Sequence, residues 1–274
     1  MTYIYILFIW INKQISRLVL IFAMLFCLIF ISLAYGTTLI AVRTAKEVFL
    51  AADSMMIKGG EIRSACKIIQ VEDMFISFGG KPIFPQYQFD AIRSADDIFS
   101  RKDTFRNNME TYIALIKWQL TPIIDKMRKD VKLFNDYFHA PNRFIFVLIV
   151  STIEADSPVF YEITFYVNSS HNEPAIIKSV IRDSTKRLIG SQREILIEGE
   201  QSEILDSIDK NALDKPDFDP IKNIIKWIRL EATANPDKVR LPIDILRITK
   251  DRAEWIQHKP ECKEIEQKFF KHSN

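Results

Sequence analysis

Leu18–Leu33 (LVLIFAMLFCLIFISL) is a run of 16 residues without a charge, set between basic Lys13 and Arg17 and the small-residue pattern Ala34-Tyr35-Gly36. A positive flank, an apolar stretch and small residues two apart form the layout of a secretory signal, which is cut at the small residues. The run is short for a membrane span, which needs about 20 apolar residues. No stop-transfer charges follow it. An uncleaved anchor is the alternative, and the apolar TYIYILFIWI before Lys13 favours it. The chain is therefore read as a signal peptide, 1–36, and a single domain, 37–274, that is secreted or periplasmic. Whatever folds after cleavage starts at Thr37, on the threshold of the strand-like TTLIAV.

The formal net charge is +2, from 37 basic and 35 acidic residues, and the two excess positives are Lys13 and Arg17. The rest of the chain balances to zero, which leaves no basic field for nucleic acid or an anionic membrane. Membrane contact is expected only through an uncleaved leader. A hydrophobic share of 48% with 7 Gly and 11 Pro excludes a disordered or collagen-like chain. Beyond residue 36 the cysteines are Cys66 and Cys262, too few for a disulfide scaffold, with one bridge left open.

Residues 38–43 and 47–53 are apolar stretches split by Thr44-Ala45-Lys46 and read as a hairpin. A Gly59-Gly60 turn precedes a second pair, Lys67–Val71 and Met74–Phe78, closed by Gly79-Gly80. Helical spacing follows: Phe89, Ile92 and Ile98 mark one helix. Phe105 through Phe134 mark a long second one that Pro122 should kink or restart. Arg143–Thr152 and Val159–Val167 form another hairpin around Ala155-Asp156-Ser157-Pro158. A short strand leads to Ile189-Gly190-Ser191, followed by a weaker helix near 198–209. Asp219-Pro220 opens a helix on Ile221, Ile224, Ile225 and Ile228. Leu241–Thr249 and Ala253–Ile256 close the chain as a hairpin. This order predicts an α+β domain with sheets packed face to face and helices outside.

A threonine hydroxyl is a weak nucleophile unless a base takes its proton. A free α-amino group on the same residue can be that base, because its pKa of about 7.7–8.0 leaves part of it neutral near pH 7. Cleavage before Thr37 creates both groups on one residue. A nearby cation would stabilise the alkoxide, and a carboxylate would hold that cation. Lys67 and Asp53, at strand ends, are the candidates.

These residues carry a resemblance. Gly36-Thr37-Thr38-Leu39-Ile40-Ala41-Val42, Val48-Phe49-Leu50-Ala51-Ala52-Asp53-Ser54, Cys66-Lys67-Ile68-Ile69 and Phe78-Gly79-Gly80 resemble the start of a proteasome β-type subunit, one of the N-terminal-nucleophile hydrolases. The Thr37-to-Asp53 interval of 16 matches the family's, and Lys67 falls within about two residues of the family lysine. Phe146–Phe165 resembles its central hairpin, and Ile189-Gly190-Ser191 its glycine-serine turn. The resemblance implies a four-layer αββα sandwich and an exported threonine hydrolase that cleaves peptide or other linear amide bonds. In it Thr37 attacks, Lys67 tunes the hydroxyl and amine, Asp53 orients Lys67, and Ser191 supports the terminal amine. The backbone N–H of Gly80, or of Gly79, faces the oxyanion. It implies no cofactor and no metal, and assembly into a homo-oligomer. Where active members carry an aspartate and a serine-glycine-glycine before their last hairpin, this chain has Asn235-Pro236-Asp237-Lys238-Val239-Arg240-Leu241, with Asp237 as the candidate acid. The alternative is therefore a non-catalytic, ring-forming scaffold.

Other residues carry weaker signals. Cys66 reads as a small core side chain. His258 and Cys262 have helical spacing, but Pro260 lies between them and no second pair exists, which argues against zinc. His139, His171 and His272 have no catalytic partners in the sequence. The aromatic stripe over 105–134 reads as core or subunit interface, and the acid-rich 194–219 as a solvated face.

Overall fold

The computed structural model describes residues 37–58, 61–138, 143–170, 172–186, 188–208, 213–260 and 262. The leader, the Gly59-Gly60 turn, His139, His171 and His272 lie outside them.

Thr38–Arg43 (β1) and Glu47–Ala52 (β2) form the first hairpin, and Met55–Lys58 (β3) and Glu61–Ser64 (β4) a small ribbon. Ile68–Val71 (β5) and Met74–Gly80 (β6) make the second pair. Ile83–Phe84 (β7) and Phe89–Asp90 (β8) bracket a tight turn. Three helices follow: Ala91–Phe99 (α1), Phe105–Met127 (α2) and Val131–Tyr137 (α3). The central hairpin is Phe144–Glu154 (β9) with Ser157–Val167 (β10), and Ile177–Asp183 (β11) lies beside β10. Then come Glu194–Gly199 (β12), Ser202–Ser207 (α4), Pro220–Ala234 (α5), Asp244–Thr249 (β13) and Ala253–Gln257 (β14).

Two five-stranded antiparallel sheets result. Sheet I has the order β12-β1-β2-β13-β14, and sheet II the order β11-β10-β9-β6-β5. Alternation along each strand divides the core into three seams. Leu39 and Ala41 of β1 meet Phe75, Val147 and Phe160 between the sheets. Ile40 and Val42 face Ile224, Trp227 and Ile228 of α5. On the far side Ile76, Phe78, Leu148 and Phe165 meet Tyr112, Ile116 and Leu120 of α2. The architecture is a helix–sheet–sheet–helix sandwich, the αββα arrangement that the resemblance implies. The central strands of each sheet are covered on both faces and read as continuous apolar runs such as FIFVLIV in β9, whereas the edge strands β11 and β14 are largely exposed.

Helix starts follow local chemistry. Asp90, Thr104, Asp130 and Asp219 each accept backbone N–H groups at the head of α1, α2, α3 and α5. Pro122 does not interrupt α2, which runs on to Met127; the restart comes at Val131, behind the Asp130 cap. Within the aromatic stripe Tyr112 and Phe134 are fully buried core, whereas Trp118 faces outward.

Residues 198–199, read as the opening of a helix, finish strand β12, and Leu196 and Ile197 of the acid-rich stretch are buried. Cys66 is not a free core thiol. It is bonded to Cys262, because the turn after β14 returns the chain to the β4–β5 connection. Among the described residues no helix is long and apolar enough to cross a membrane.

Candidate active site

Three strand ends converge on Thr37. It lies immediately before β1, Asp53 immediately after β2, and Lys67 immediately before β5. The hairpin register makes the first two neighbours, since Leu39 pairs with Ala52 and the Asp53 N–H donates to the Thr38 carbonyl at 3.1 Å. Lys67 reaches them from the other sheet. Its Nζ donates to Thr37 Oγ1 at 3.0 Å and to Asp53 Oδ1 at 2.5 Å.

Asp53 is wholly buried, and its remaining lone pairs are occupied by backbone. Thr38 N–H donates to Oδ1 at 2.9 Å, while Met55 and Arg240 N–H donate to Oδ2 at 2.8 and 3.3 Å. A carboxylate held by three amides and an ammonium keeps one orientation. Burial pushes the Lys67 ammonium below the usual lysine range, Asp53 opposes that shift, and the charge of Lys259 adds to it. The arrangement aims a desolvated cation at a threonine hydroxyl, which favours the alkoxide form of that hydroxyl.

The Thr37 main chain is clamped as firmly. Its carbonyl accepts Glu200 N–H at 2.7 Å, and Thr38 Oγ1 donates to the Glu200 carbonyl at 2.9 Å. Gly199 (φ +90) passes so near that a Cβ there would stand 1.7 Å from the Thr37 oxygen. On the sheet II side the neighbour is Gly79, where a Cβ would lie 3.5 Å from Thr37 Cγ2. Gly80 (φ +83) instead packs its α-carbon on Phe144, Ile145 and Phe146. Of the two glycines proposed for the oxyanion, Gly79 is thus the one against the Thr37 side chain.

Ser191 is not brought to this cluster. It lies before Glu194, which pairs with Arg43, whereas Thr38 pairs with Gly199 at the other end of β12. Those ends are roughly 17 Å apart at strand rise. Arg43 fixes that remote end, donating to the carbonyls of Pro158 and Lys186 and to Glu194. The glycine that abuts Thr37 is Gly199, and the serine that opens the next helix is Ser202. The same signal, a glycine followed by a helix-opening serine, stands in GEQS.

In the divergent segment Asp237 is exposed. Asn235 Nδ2 donates to Glu231 Oε1 at 2.5 Å, and Lys238 pairs with Glu200 at 3.0 Å. The buried Glu231 carboxylate also accepts Ser202 Oγ and the N–H groups of Glu203 and Ile204. Among the described residues no group of three or more His, Cys, Asp or Glu is placed to hold a metal ion.

No protein-family model and no curated protein matches this sequence. Among solved structures the chain is similar to Anbu (ancestral beta-subunit) from Yersinia bercovieri. That match has 13% identity and a TM-score of 0.49, over 86% of this chain and 93% of that one. It is similar also to Thiobacillus denitrificans BPH, at 17% identity and a TM-score of 0.42, over 77% and 97% of the two chains. The same protein in complex with Epoxomicin gives 15% identity and a TM-score of 0.40, over 77% and 98%. These likenesses are distant.

Proposed function

We propose that this chain is an exported, proteasome-like threonine hydrolase that cleaves peptide or other linear amide bonds. The observation that carries the reading is the Lys67 ammonium bridging Thr37 Oγ1 and the buried Asp53 carboxylate. Removal of 1–36 gives Thr37 a free amine. Its hydroxyl then attacks the substrate carbonyl while that amine takes the hydroxyl proton. Lys67 stabilises the oxygen as charge develops, and a backbone N–H at Gly79 or Gly80 supports the oxyanion. The amine returns the proton to the leaving nitrogen, the C–N bond breaks, and water hydrolyses the remaining ester.

Expression of the full chain, followed by assay of the purified protein on a mixture of fluorogenic peptide amides, tests this. Turnover in the wild type and none in a folded Thr37→Ala variant is the expected result. Equal turnover in both rejects the reading.

A second reading, a non-catalytic scaffold, is favoured by the 235–241 segment, which lacks serine-glycine-glycine and reaches Asp53 through the Arg240 N–H. It predicts no covalent labelling of Thr37 by a β-lactone. Both readings include self-association. The indole of Trp118 on α2 is 74% exposed, and Trp118→Glu should lower the assembly size measured by sedimentation.

A further inference from the structure

Lys67 comes from Ala65-Cys66-Lys67, a three-residue connection between β4 and β5 that belongs to neither strand. Such a link lacks a ladder of its own, so the lysine is only as well placed as the contacts that hold these three residues. Ala65 N–H donates to the Ser54 carbonyl at 2.8 Å, and the Lys67 carbonyl accepts Phe78 N–H at 3.2 Å. The other two ties come from the far end of the chain. Lys259 Nζ donates to the Ala65 carbonyl at 2.5 Å, and Cys66 is disulfide-bonded to Cys262.

Lys259 is itself almost wholly buried. Its Nζ lies 2.8 Å from Asp244 Oδ2, and its N–H donates to Asp244 Oδ1 at 2.8 Å. His258 Nδ1 is 3.1 Å from the same Oδ1, and its ring stacks on Trp255. Asp244 opens β13 directly across from Ala52, the residue before Asp53. Two buried lysine–aspartate pairs therefore stand side by side, one on the nucleophile and one on the backbone that carries its lysine. Burying a second ion pair costs desolvation that an apolar pair of similar volume would avoid. Its placement on Ala65, beside a cross-link on Cys66, gives it a use that an apolar pair lacks. The Lys259 charge also opposes protonation of Lys67, in keeping with this proximity.

We propose that Lys259 is a positioning residue of the threonine site, acting with the Cys66–Cys262 disulfide to hold Ala65–Lys67 so that the Lys67 ammonium stays on Thr37 Oγ1. The inference rests on the reading of Thr37 as nucleophile. It makes reactivity depend on a strap about two hundred residues downstream, and on its oxidation state. A dithiol reductant breaks the Sγ–Sγ bond, leaves two thiols, and is itself oxidised to a cyclic disulfide; of the two ties from the far end of the chain, the Lys259–Ala65 hydrogen bond then remains.

The test uses protein purified from full-chain expression and a β-lactone that acylates Thr37 Oγ with opening of the lactone ring. The maximal labelling rate is read separately from the half-saturating probe concentration. The variant Lys259→Met/Asp244→Asn removes both charges without leaving one buried alone. Its maximal rate should fall at least about tenfold, within the hundredfold that about 1 Å of misplacement costs, at unchanged half-saturation. Cys66→Ser/Cys262→Ser, and wild type treated with dithiothreitol, should slow labelling in the same sense. Combined with the Lys259 variant, the serine pair should be less than additive, since both act on one segment. A clamp that only stabilised the fold would lower the melting temperature and leave the labelling rate intact; that result overturns the proposal. If the Lys259 variant does not fold, the dithiothreitol arm decides: an unchanged rate after reduction overturns the strap. Absence of wild-type labelling at Thr37 overturns the nucleophile reading, and the strap's role with it. Equal labelling of wild type and variants overturns the strap alone.

Discussion

Gly199 presses its bare α-carbon against the carbonyl of Thr37: with φ +90, any Cβ at that position would stand 1.7 Å from the oxygen. Gly199→Ala must therefore either displace Thr37 or break the Glu200 N–H bond that holds it. We expect a loss of more than about 3 kcal/mol, above the usual range for a strained backbone position, or labelling of Thr37 slowed about a hundredfold. Gly190→Ala is the control. Its φ is +61 but nothing lies within 4 Å, so the expected cost is about 1 kcal/mol of backbone strain with reactivity retained. Chemical denaturation and β-lactone labelling of both variants check the pair.

Asp53 is buried beneath one ammonium and three amides, so removing the ammonium leaves its charge uncompensated. Lys67→Met should destabilise the fold by about 3–5 kcal/mol, the range for a broken buried pair. Thr37→Ala, which deletes one hydroxyl and one methyl but strands no charge, should cost far less. Both should lose turnover. Urea melts of the two variants distinguish a residue that holds charge balance from one that only reacts.

Glu198 lies across from Leu39 on β12, and burial, then the neighbouring Glu162, raises its carboxyl from 4.5 to about 7. The folded chain keeps this proton up to about pH 7, whereas the unfolded chain releases it near 4.5. Between those values the folded state binds more protons, so this group's contribution to stability falls as pH rises across the window. Glu198→Gln should remove that slope and raise the melting temperature at pH 8 more than at pH 5. Scanning calorimetry at the two values measures it, and equal shifts would contradict the assignment.

Much of this was legible in the residues because it is local or fixed by spacing. The β1–β2 hairpin follows from Thr44-Ala45-Lys46 between apolar runs, and α5 from Asp219-Pro220. The sixteen-residue interval from Thr37 to Asp53 is one hairpin's length of chain. Strand β12 is obscured by Glu194 and Glu198, acids on an edge strand in which Leu196 and Ile197 are buried. Gly190-Ser191 stands before β12, whereas Gly199 ends it beside Thr37 and Ser202 opens α4, and nothing local tells which end of an unseen strand a turn occupies. Lys259, Asp244 and the Cys66–Cys262 bond join segments nearly two hundred residues apart, a pairing that no periodicity encodes.

The most direct test of the account is peptide mass mapping of the purified protein after treatment with an epoxyketone. Such a probe closes a ring only where one residue offers both a hydroxyl and a free α-amine: the oxygen adds to the ketone, the nitrogen opens the epoxide, and no atoms leave. The expected product is a terminal peptide that begins at Thr37 and carries the full mass of the probe. A chain that begins elsewhere, or a peptide starting at Thr37 that remains unmodified, contradicts it.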